Sequence, residues 1–107
     1  MNVRFLTLAQ QEVDEAVVWF DEKDEGKGIE FLDELDRVVR LVRAYPFAFL
    51  EIEPEIRRCL FARFPYALVY GIEDDTIVVI AVAHGRRLPR YWVPSRSQHA
   101  TSRPDGR

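Results

Sequence analysis

The segment from His84 to Trp92 concentrates the side chains best suited to binding or transforming an anion. Within nine residues it presents one imidazole, three guanidiniums and two aromatic rings, on His84, Arg86, Arg87, Arg90, Tyr91 and Trp92. Guanidiniums are planar and permanently charged, and aromatic rings stack on bases, so the segment predicts a recognition surface for phosphate, nucleic acid or an acidic protein. The alternative is a solvated strand end whose arginines extend into water.

A catalytic interpretation of the same residues is also possible. His84 could act as a general base while Arg58, Arg63, Arg86 and Arg87 bind a phosphate. The competing interpretation is that His84 bonds a backbone group at the strand end, and that Arg57, Arg58 and Arg63 form the exposed ends and rim of an earlier strand. We favour the second, because the sequence places no carboxylate or second base beside His84.

The elements that must position this segment follow from the spacing of the apolar residues. Alternation over residues 3–7 indicates a short strand. Thr7 and Gln10 have the spacing of a capping box, so a helix is expected to begin at Thr7. A charged break over residues 21–28 separates it from a second helix over residues 29–44, and the two should form an antiparallel hairpin.

The helical period assigns side chains to inner and outer faces. The apolar stripe of the first helix comprises Val13, Ala16, Val17 and Phe20. The inner face of the second is expected to comprise Phe31, Leu32, Leu35, Val38, Val39 and Val42. A solvated outer face is expected for Asp33, Glu34, Asp36, Arg37 and Arg40. Trp19 lies off the first stripe and is predicted to be a rim residue, the alternative being that it belongs to a second contact.

Strands dominate the second half of the sequence. They are predicted over residues 56–64, 66–72 and 77–83, with a hairpin turn at residues 73–76. The last strand has no polar alternation, so we expect it to be central and covered on both faces. The apolar loop at residues 47–50 is expected to tuck under the sheet, and the alternative is that it forms a groove for a partner.

The predicted fold is therefore α+β, in the order β-α-α-β-β-β, with the helix hairpin on one face of a small, mainly antiparallel sheet. A single domain is expected over residues 1–94. Residues 95–107 are polar and are predicted to form a disordered tail.

Composition and charge limit which cofactors, cellular location and partners we expect for this protein. A lone Cys59 and two histidines provide neither an internal disulfide nor a zinc ligand set, so we expect no metal or cofactor. No targeting or membrane-spanning segment is evident, and a cytoplasmic protein without a membrane partner is predicted. Residues 1–55 carry 14 acidic and 6 basic side chains, whereas residues 56–107 carry 4 acidic and 9 basic ones. This polarity suggests that one face binds an anionic partner.

Three segments of the sequence resemble the RelE/ParE toxin superfamily, nearer its ParE branch. They are Arg57-Arg58-Cys59-Leu60, Phe64-Pro65-Tyr66-Ala67-Leu68-Val69-Tyr70 and the His84-to-Trp92 segment, with Arg96 beyond it. The resemblance covers residues 1–96 and includes the order of elements. It implies a toxin of a type II toxin-antitoxin system (plasmid-stabilisation type) that inhibits growth and is neutralised by a cognate antitoxin laid across its sheet and helix hairpin.

The superfamily has two principal activities, and the resemblance bears on the choice between them. In the ribonuclease branch, which cleaves messenger RNA on the ribosome, basic strand residues, an arginine at the end of the last strand and a nearby tyrosine carry the reaction. Arg58 and Arg87 match two of these positions and Tyr91 lies near the tyrosine, but Leu60 and Ala67 occupy two positions that are basic in that branch. The ParE branch inhibits DNA gyrase by binding.

We therefore expect a non-catalytic inhibitor of a target such as DNA gyrase. Its target-binding residues are expected to be Arg58, Arg63, His84, Arg86, Arg87, Arg90, Tyr91 and Trp92. The alternatives are a ribosome-dependent mRNA endonuclease (mRNA interferase) and a decayed binding module without toxicity. The nuclease would use Arg58, Arg87, Tyr91 and His84.

Overall fold

The computed structural model describes residues 1–85, which form two helices and five strands. In chain order the elements are β1 (Asn2–Phe5), α1 (Thr7–Lys23), α2 (Lys27–Ala44), β2 (Glu51–Glu53), β3 (Ile56–Leu60), β4 (Tyr66–Glu73) and β5 (Thr76–His84). The predicted domain boundary at residue 94 and the predicted tail lie outside the described residues.

All five strands belong to one sheet, in the order β1-β5-β4-β3-β2. β1 pairs with β5 in parallel, and the other neighbours are antiparallel. β5 is internal and its residues Ile77 to Ala83 are all buried, which confirms the prediction of a central, fully covered strand. The two-residue turn between β4 and β5 places Asp74 at φ 54°, a left-handed conformation that aspartate tolerates.

Two apolar clusters divide the sheet residues by face. The larger joins the apolar stripes of both helices to one side of β3, β4 and β5, including Cys59, Leu68, Tyr70, Val79 and Val82. The smaller lies on the other side, around Leu6, Ile56, Val69, Val78, Ile80 and Ala81. We call these the helix face and the distal face. The predicted α+β class, with the helix hairpin on one face of a mainly antiparallel sheet, is confirmed.

The start of α1 was predicted correctly but for the wrong reason. The helix begins at Thr7, yet its N-cap is Leu6, whose side chain offers no capping bond. Gln10 instead donates to the Asp14 carboxylate at 3.0 Å. No capping box forms because Thr7 is already inside the helix, where its hydroxyl is one residue too late to serve as the cap.

The break between the helices is shorter than the sequence suggested. α1 continues to Lys23 and α2 begins at Lys27. Gly26 takes φ 89° at the N-cap of α2, and Asp21 of α1 accepts the Gly28 N–H at 2.8 Å. Charged residues that were predicted to form the break therefore belong to the helices. The start of α2 is stabilised because the Asp21 carboxylate of α1 accepts an N–H group that has no partner within the helix.

One carboxylate of α2 lies on the opposite side of the helix from the side that was predicted. Glu34 was placed on the solvated face, but it is buried, between Phe31 and Val38 on the apolar stripe. Leu32 was placed inside and is instead 41% exposed. Burial of Glu34 is possible because Arg37 and two backbone N–H groups bond its carboxylate, as described below.

The α2–β2 loop and the strand after it also differ from prediction. Phe47 and Leu50 are exposed, and only Phe49 packs against the core, so most of the loop does not tuck under the sheet. The first meander strand ends at Leu60, not at residue 64, and the short strand β2 was missed. A three-residue strand with a register shift is too short to produce a recognisable period.

Trp19 is 54% exposed, as predicted for a rim residue. Over the described residues 1–85, neither helix is long and apolar enough to cross a membrane.

Candidate functional site

The end of β5 is shaped by a bulge. The pairing with β4 shifts at this point, from Tyr70 opposite Val79 to Val69 opposite Ala81. Ile77 and Val79 face the helices before the bulge, and Val82 faces them after it. The extra residue thus reverses the alternation of the strand, and His84 emerges on the helix face.

A buried carboxylate holds α1 against this part of β5. Pairing between β1 and β5 ends at Phe5 opposite Val79, and three residues later the Val82 N–H donates to Glu12 Oε1 at 2.8 Å. Glu12 is only 7% exposed. Its side chain provides the acceptor that a longer β1 would have supplied, so the helix begins early without leaving the Val82 amide unbonded.

His84 lines a cleft between the end of β5 and the outer side of α1. The cleft has a volume of about 200 Å³. Its walls are Glu12, Glu15, Ala16, Trp19, Tyr66, Val82 and His84. The His84 and Tyr66 rings meet edge to face with their centroids 5.3 Å apart, and Gly85 donates to the Pro65 carbonyl at 2.8 Å. Two carboxylates and three aromatic or imidazole rings therefore surround one small space.

These neighbours of His84 were missed from the sequence. Glu12 contradicts the expectation that no carboxylate lies beside the imidazole. The sequence does contain one indication that Glu12 is buried. It falls between Ala9 and Ala16 on the apolar stripe of α1, where a charged side chain needs a bonding partner. Nothing in the sequence placed α1 beside the end of β5.

Arg58 lies on the other side of the sheet. Successive side chains of a strand point to opposite faces, so Arg58 points away from the face of its neighbour Cys59, which is the helix face. It points to the same face as Ile56, which is the distal face. Its side chain is exposed, and it stands opposite Val69. His84 pairs with Tyr66, three residues away along β4, so Arg58 and His84 are separated by both the sheet and about 10 Å of strand.

An apolar row crosses the distal face beside Arg58. Leu60 stands opposite Ala67, and Ala67 stands opposite Ala83. Directly opposed side chains in adjacent strands point to the same face, so these three residues are lateral neighbours. Leu60 is 59% exposed at the end of this row.

Arg63 lies in the β3–β4 turn and is paired with α2. Its guanidinium is 3.1 Å from Glu30 Oε1 in an exposed ion pair. The same turn is fixed by Glu34, whose Oε2 accepts the N–H groups of Ala62 and Arg63, while Arg37 bonds both carboxylate oxygens. The Arg37 bonds, followed by those two N–H groups, lower the pKa of Glu34 to about 2 against the opposing effect of burial.

The remaining predicted site residues are Arg86, Arg87, Arg90, Tyr91 and Trp92, and they lie outside the described residues. Three of the predicted site residues lie within the described residues, and the structure does not bring them together. His84 is on the helix face, Arg58 is on the distal face, and Arg63 is bonded to α2. Within residues 1–85, no three histidine, cysteine or carboxylate side chains are grouped so that they could hold a metal ion. Burial raises the pKa of the lone Cys59 thiol, which therefore favours its neutral form.

Comparison with known proteins decides the family. The model of the ParE toxin of the type II toxin-antitoxin system, parDE, matches residues 3–89. The chain belongs to the ParE toxin family. That match includes both helices, strands β2 to β5 and all but the first residue of β1. It also includes the His84 cleft and the apolar row of Leu60, Ala67 and Ala83, and it confirms the resemblance found in the sequence.

A solved relative of this ParE-family chain supports the fold. A chain of the chromosomal ParDE TA system from P. aeruginosa is similar with a TM-score of 0.69 and 14% sequence identity, over 78% of this chain and 95% of that one. At this identity the likeness shows a common fold. No protein of curated function matches the sequence.

Proposed function

We propose that this chain is a toxin that arrests bacterial growth by binding DNA gyrase in the cytoplasm, and that a cognate antitoxin neutralises it. Membership of the ParE toxin family supports the proposal at the level of the system. The observation that carries the choice of mechanism is the apolar row formed by Leu60, Ala67 and Ala83 on the distal face.

Cleavage of RNA needs groups that activate the 2′-hydroxyl, stabilise the phosphate and protonate the leaving oxygen. Leu60 and Ala67 stand opposite each other at the two positions that would be basic in a ribonuclease of this superfamily. Alkyl side chains can neither transfer a proton nor hold a phosphate, so these two positions lack the groups that the cleavage needs. Ala67 and Ala83 are buried, and the exposed Leu60 at the end of the row offers an apolar contact to a protein partner.

The positions of the proposed nuclease residues favour the same choice. Of Arg58, His84, Arg87 and Tyr91, the structure describes the first two. Arg58 and His84 project from opposite faces of the sheet, so one scissile phosphate cannot touch both side chains at hydrogen-bond distance. Target binding by Arg63, Arg86, Arg90 and Trp92 together with these residues remains part of the proposal.

A cognate antitoxin is the expected protein partner. The matching family model describes the toxin of a toxin-antitoxin system, and the similar chain from P. aeruginosa belongs to a ParDE TA system. A short reading frame next to this gene that encodes a DNA-binding protein is expected to restore growth when it is co-expressed.

The decisive experiment induces the chain alone in bacteria and follows nucleic acids. We expect SOS induction and trapped gyrase–DNA complexes, while messenger RNA persists. Rapid loss of messenger RNA with ribosome-phased cuts would instead establish the nuclease. The nuclease is the second candidate because Arg58 is retained on the distal face. Normal growth would overturn the toxin proposal and identify a decayed binding module.

A further inference from the structure

The loop between α2 and β2 exposes three large apolar side chains. Tyr45 is 62%, Phe47 is 68% and Leu50 is 59% exposed, and all three lie within six residues of the sequence. Exposed apolar residues that cluster are characteristic of interaction sites, whereas scattered single ones are not. We call these three residues the loop patch. Their exposure favours the partner groove that the sequence left as the alternative for residues 47–50.

Two side chains of the sheet hold the loop in place. The Tyr70 hydroxyl of β4 donates to the Pro46 carbonyl at 2.6 Å, and the Arg57 guanidinium of β3 donates to the Phe49 carbonyl at 2.7 Å. The same guanidinium lies over the Phe47 ring, 5.6 Å from its centroid. A partner that binds an ordered loop of this kind loses little conformational entropy.

Backbone hydrogen bonds fix the loop as well. The Ala48 N–H donates to the Tyr45 carbonyl at 3.1 Å, which closes a turn around Phe47. The Arg58 N–H of β3 donates to the Leu50 carbonyl at 3.0 Å. The loop patch is therefore exposed on an ordered segment and is not the result of fraying.

A pocket of about 250 Å³ lies beside Phe47. Its other walls are Glu51, Glu55, Arg57, Tyr70, Gly71 and Ile72. Sites for small molecules typically have volumes of roughly 300–1,000 Å³. The pocket is smaller, and it suits a side chain of a protein partner better than a small-molecule ligand.

The two ends of the loop carry opposite charges. Arg43 in the last turn of α2 and Glu51 at the start of β2 are both exposed, four residues before and four residues after Phe47. The Glu51 carboxylate is held in position because its Oε2 accepts the Glu55 N–H at 2.6 Å. Two such loops that face each other across a twofold axis run antiparallel, so Arg43 of each copy faces the partner's Glu51.

We propose that the loop patch joins two copies of this chain about a twofold axis that passes near Phe47. Apolar side chains of each loop cover those of the other, and the pocket beside Phe47 accommodates a side chain of the second copy. Two Arg43–Glu51 pairs form at the ends of the contact. The apolar centre is small, so the dimer should dissociate with a constant that is roughly micromolar.

This interface lies far from the His84 cleft. Ile72 of the pocket pairs with Ile77, whereas His84 pairs with Tyr66, six residues earlier in β4 and roughly 20 Å away along the strand. The dimer leaves that end of the sheet accessible. The proposal goes beyond the proposed function and does not depend on the identity of the target.

Sedimentation equilibrium of the full chain from nanomolar to high micromolar concentration tests the association. We expect a monomer–dimer equilibrium without larger species, because a twofold contact closes on itself. Phe47→Ser should weaken the dimer at least about tenfold, as the loss of a central aromatic anchor does. Ile29→Ser is the matched control, since it removes a side chain that is 64% exposed on α2, and it should leave the association unchanged.

Charge reversal tests the antiparallel arrangement. Arg43→Glu alone and Glu51→Arg alone each place like charges opposite each other across the axis, and each should weaken its own dimer about tenfold. An equimolar mixture of the two variants restores both attractive pairs, so it should form a mixed dimer with about the affinity of the parent. The chain that carries both substitutions should also recover the affinity of the parent.

Several results would overturn the dimer proposal. They are a parent chain that stays monomeric, equal effects of Phe47→Ser and Ile29→Ser, and no association in the mixture of charge-reversed variants. Growth of the oligomers beyond two copies would exclude the twofold contact. A monomeric parent that binds the co-expressed product of the neighbouring reading frame, and loses it in Phe47→Ser, would assign the loop patch to that protein instead.

Discussion

Glu34 is the residue on which the connection between α2 and the β3–β4 turn depends. It is 4% exposed, and it accepts two bonds from Arg37 together with the N–H groups of Ala62 and Arg63. A buried carboxylate with this many donors is stable as an anion, which is why its pKa falls to about 2. The sequence could not distinguish it from the solvated carboxylates around it.

Replacement of Glu34 by glutamine should destabilise the fold. A neutral amide accepts the same N–H groups less strongly and cannot pair with Arg37, so we expect the free energy of unfolding at pH 7 to fall by roughly 1.5–3 kcal/mol. The measurement is urea-induced unfolding. Glu22→Gln is the matched control, because Glu22 is exposed on α1, and it should change the stability by no more than about 0.5 kcal/mol.

The stabilisation by Glu34 should depend on pH in one direction. The folded pKa of about 2 lies below the ordinary value of 4.5, so the contribution is complete above pH 4.5 and is lost as the pH falls towards 2. The stability difference between the parent and Glu34→Gln should therefore shrink over that interval. A difference that stays constant from pH 7 to pH 2 would show that the charge of Glu34 contributes nothing.

At the scale of elements, the helix hairpin depends on a close approach at Gly28. A Cβ built on Gly28 would lie 2.8 Å from the Val17 carbonyl oxygen and 2.9 Å from Asp21 Cγ. The backbone of α1 thus occupies the space that any side chain would need. The same approach allows Asp21 to accept the Gly28 N–H and begin α2.

Gly28→Ala should force the two helices apart. The gain in helix propensity, about 1 kcal/mol, is outweighed by overpacking and by loss of the Asp21 bond, and we expect a net loss of about 1–2 kcal/mol in unfolding free energy. Chemical denaturation measures it. Gly85→Ala is the matched control, since its Cβ would meet the Pro65 oxygen at an ordinary 3.5 Å. Equal stabilities of the two variants would contradict the close approach.

For the whole molecule, charge is distributed unevenly along the chain. Carboxylates concentrate on the helix hairpin, and every basic residue after position 55 is an arginine. In the proposed function, the arginine-rich segment after β5 binds the target.

Arg87→Ala should abolish growth arrest with little loss of folding. The expectation follows from the high density of guanidiniums and rings in the segment that begins at His84. The measurements are growth after induction and the thermal unfolding midpoint. Arg40→Ala removes a guanidinium from an exposed pair with Asp36 on α2, and should leave toxicity intact. Equal toxicity of Arg87→Ala and the parent would contradict the assignment of the target surface.

The sequence by itself determined the class of fold, the identity and order of the long elements, the central place of β5 and the family. Each depends on a local period or motif: alternation over a strand, a stripe along a helix, or the residues around Tyr66 and His84. Short or weakly periodic features were not predictable in this way. β2 has only three residues, which is too few to show a period. Whether Phe47 and Leu50 are exposed depends on which distant parts of the chain pack against them.

Only the tertiary structure decided which faces the candidate residues share. A strict period of two would place His84 with Val78 and Ile80 on the distal face, near Arg58. The bulge opposite Val69 and Tyr70 reverses that alternation and turns His84 towards Glu12 and Trp19 of α1. Bulge position and strand register arise from long-range packing, so residues that are close in the sequence pattern came to lie on opposite sides of the sheet.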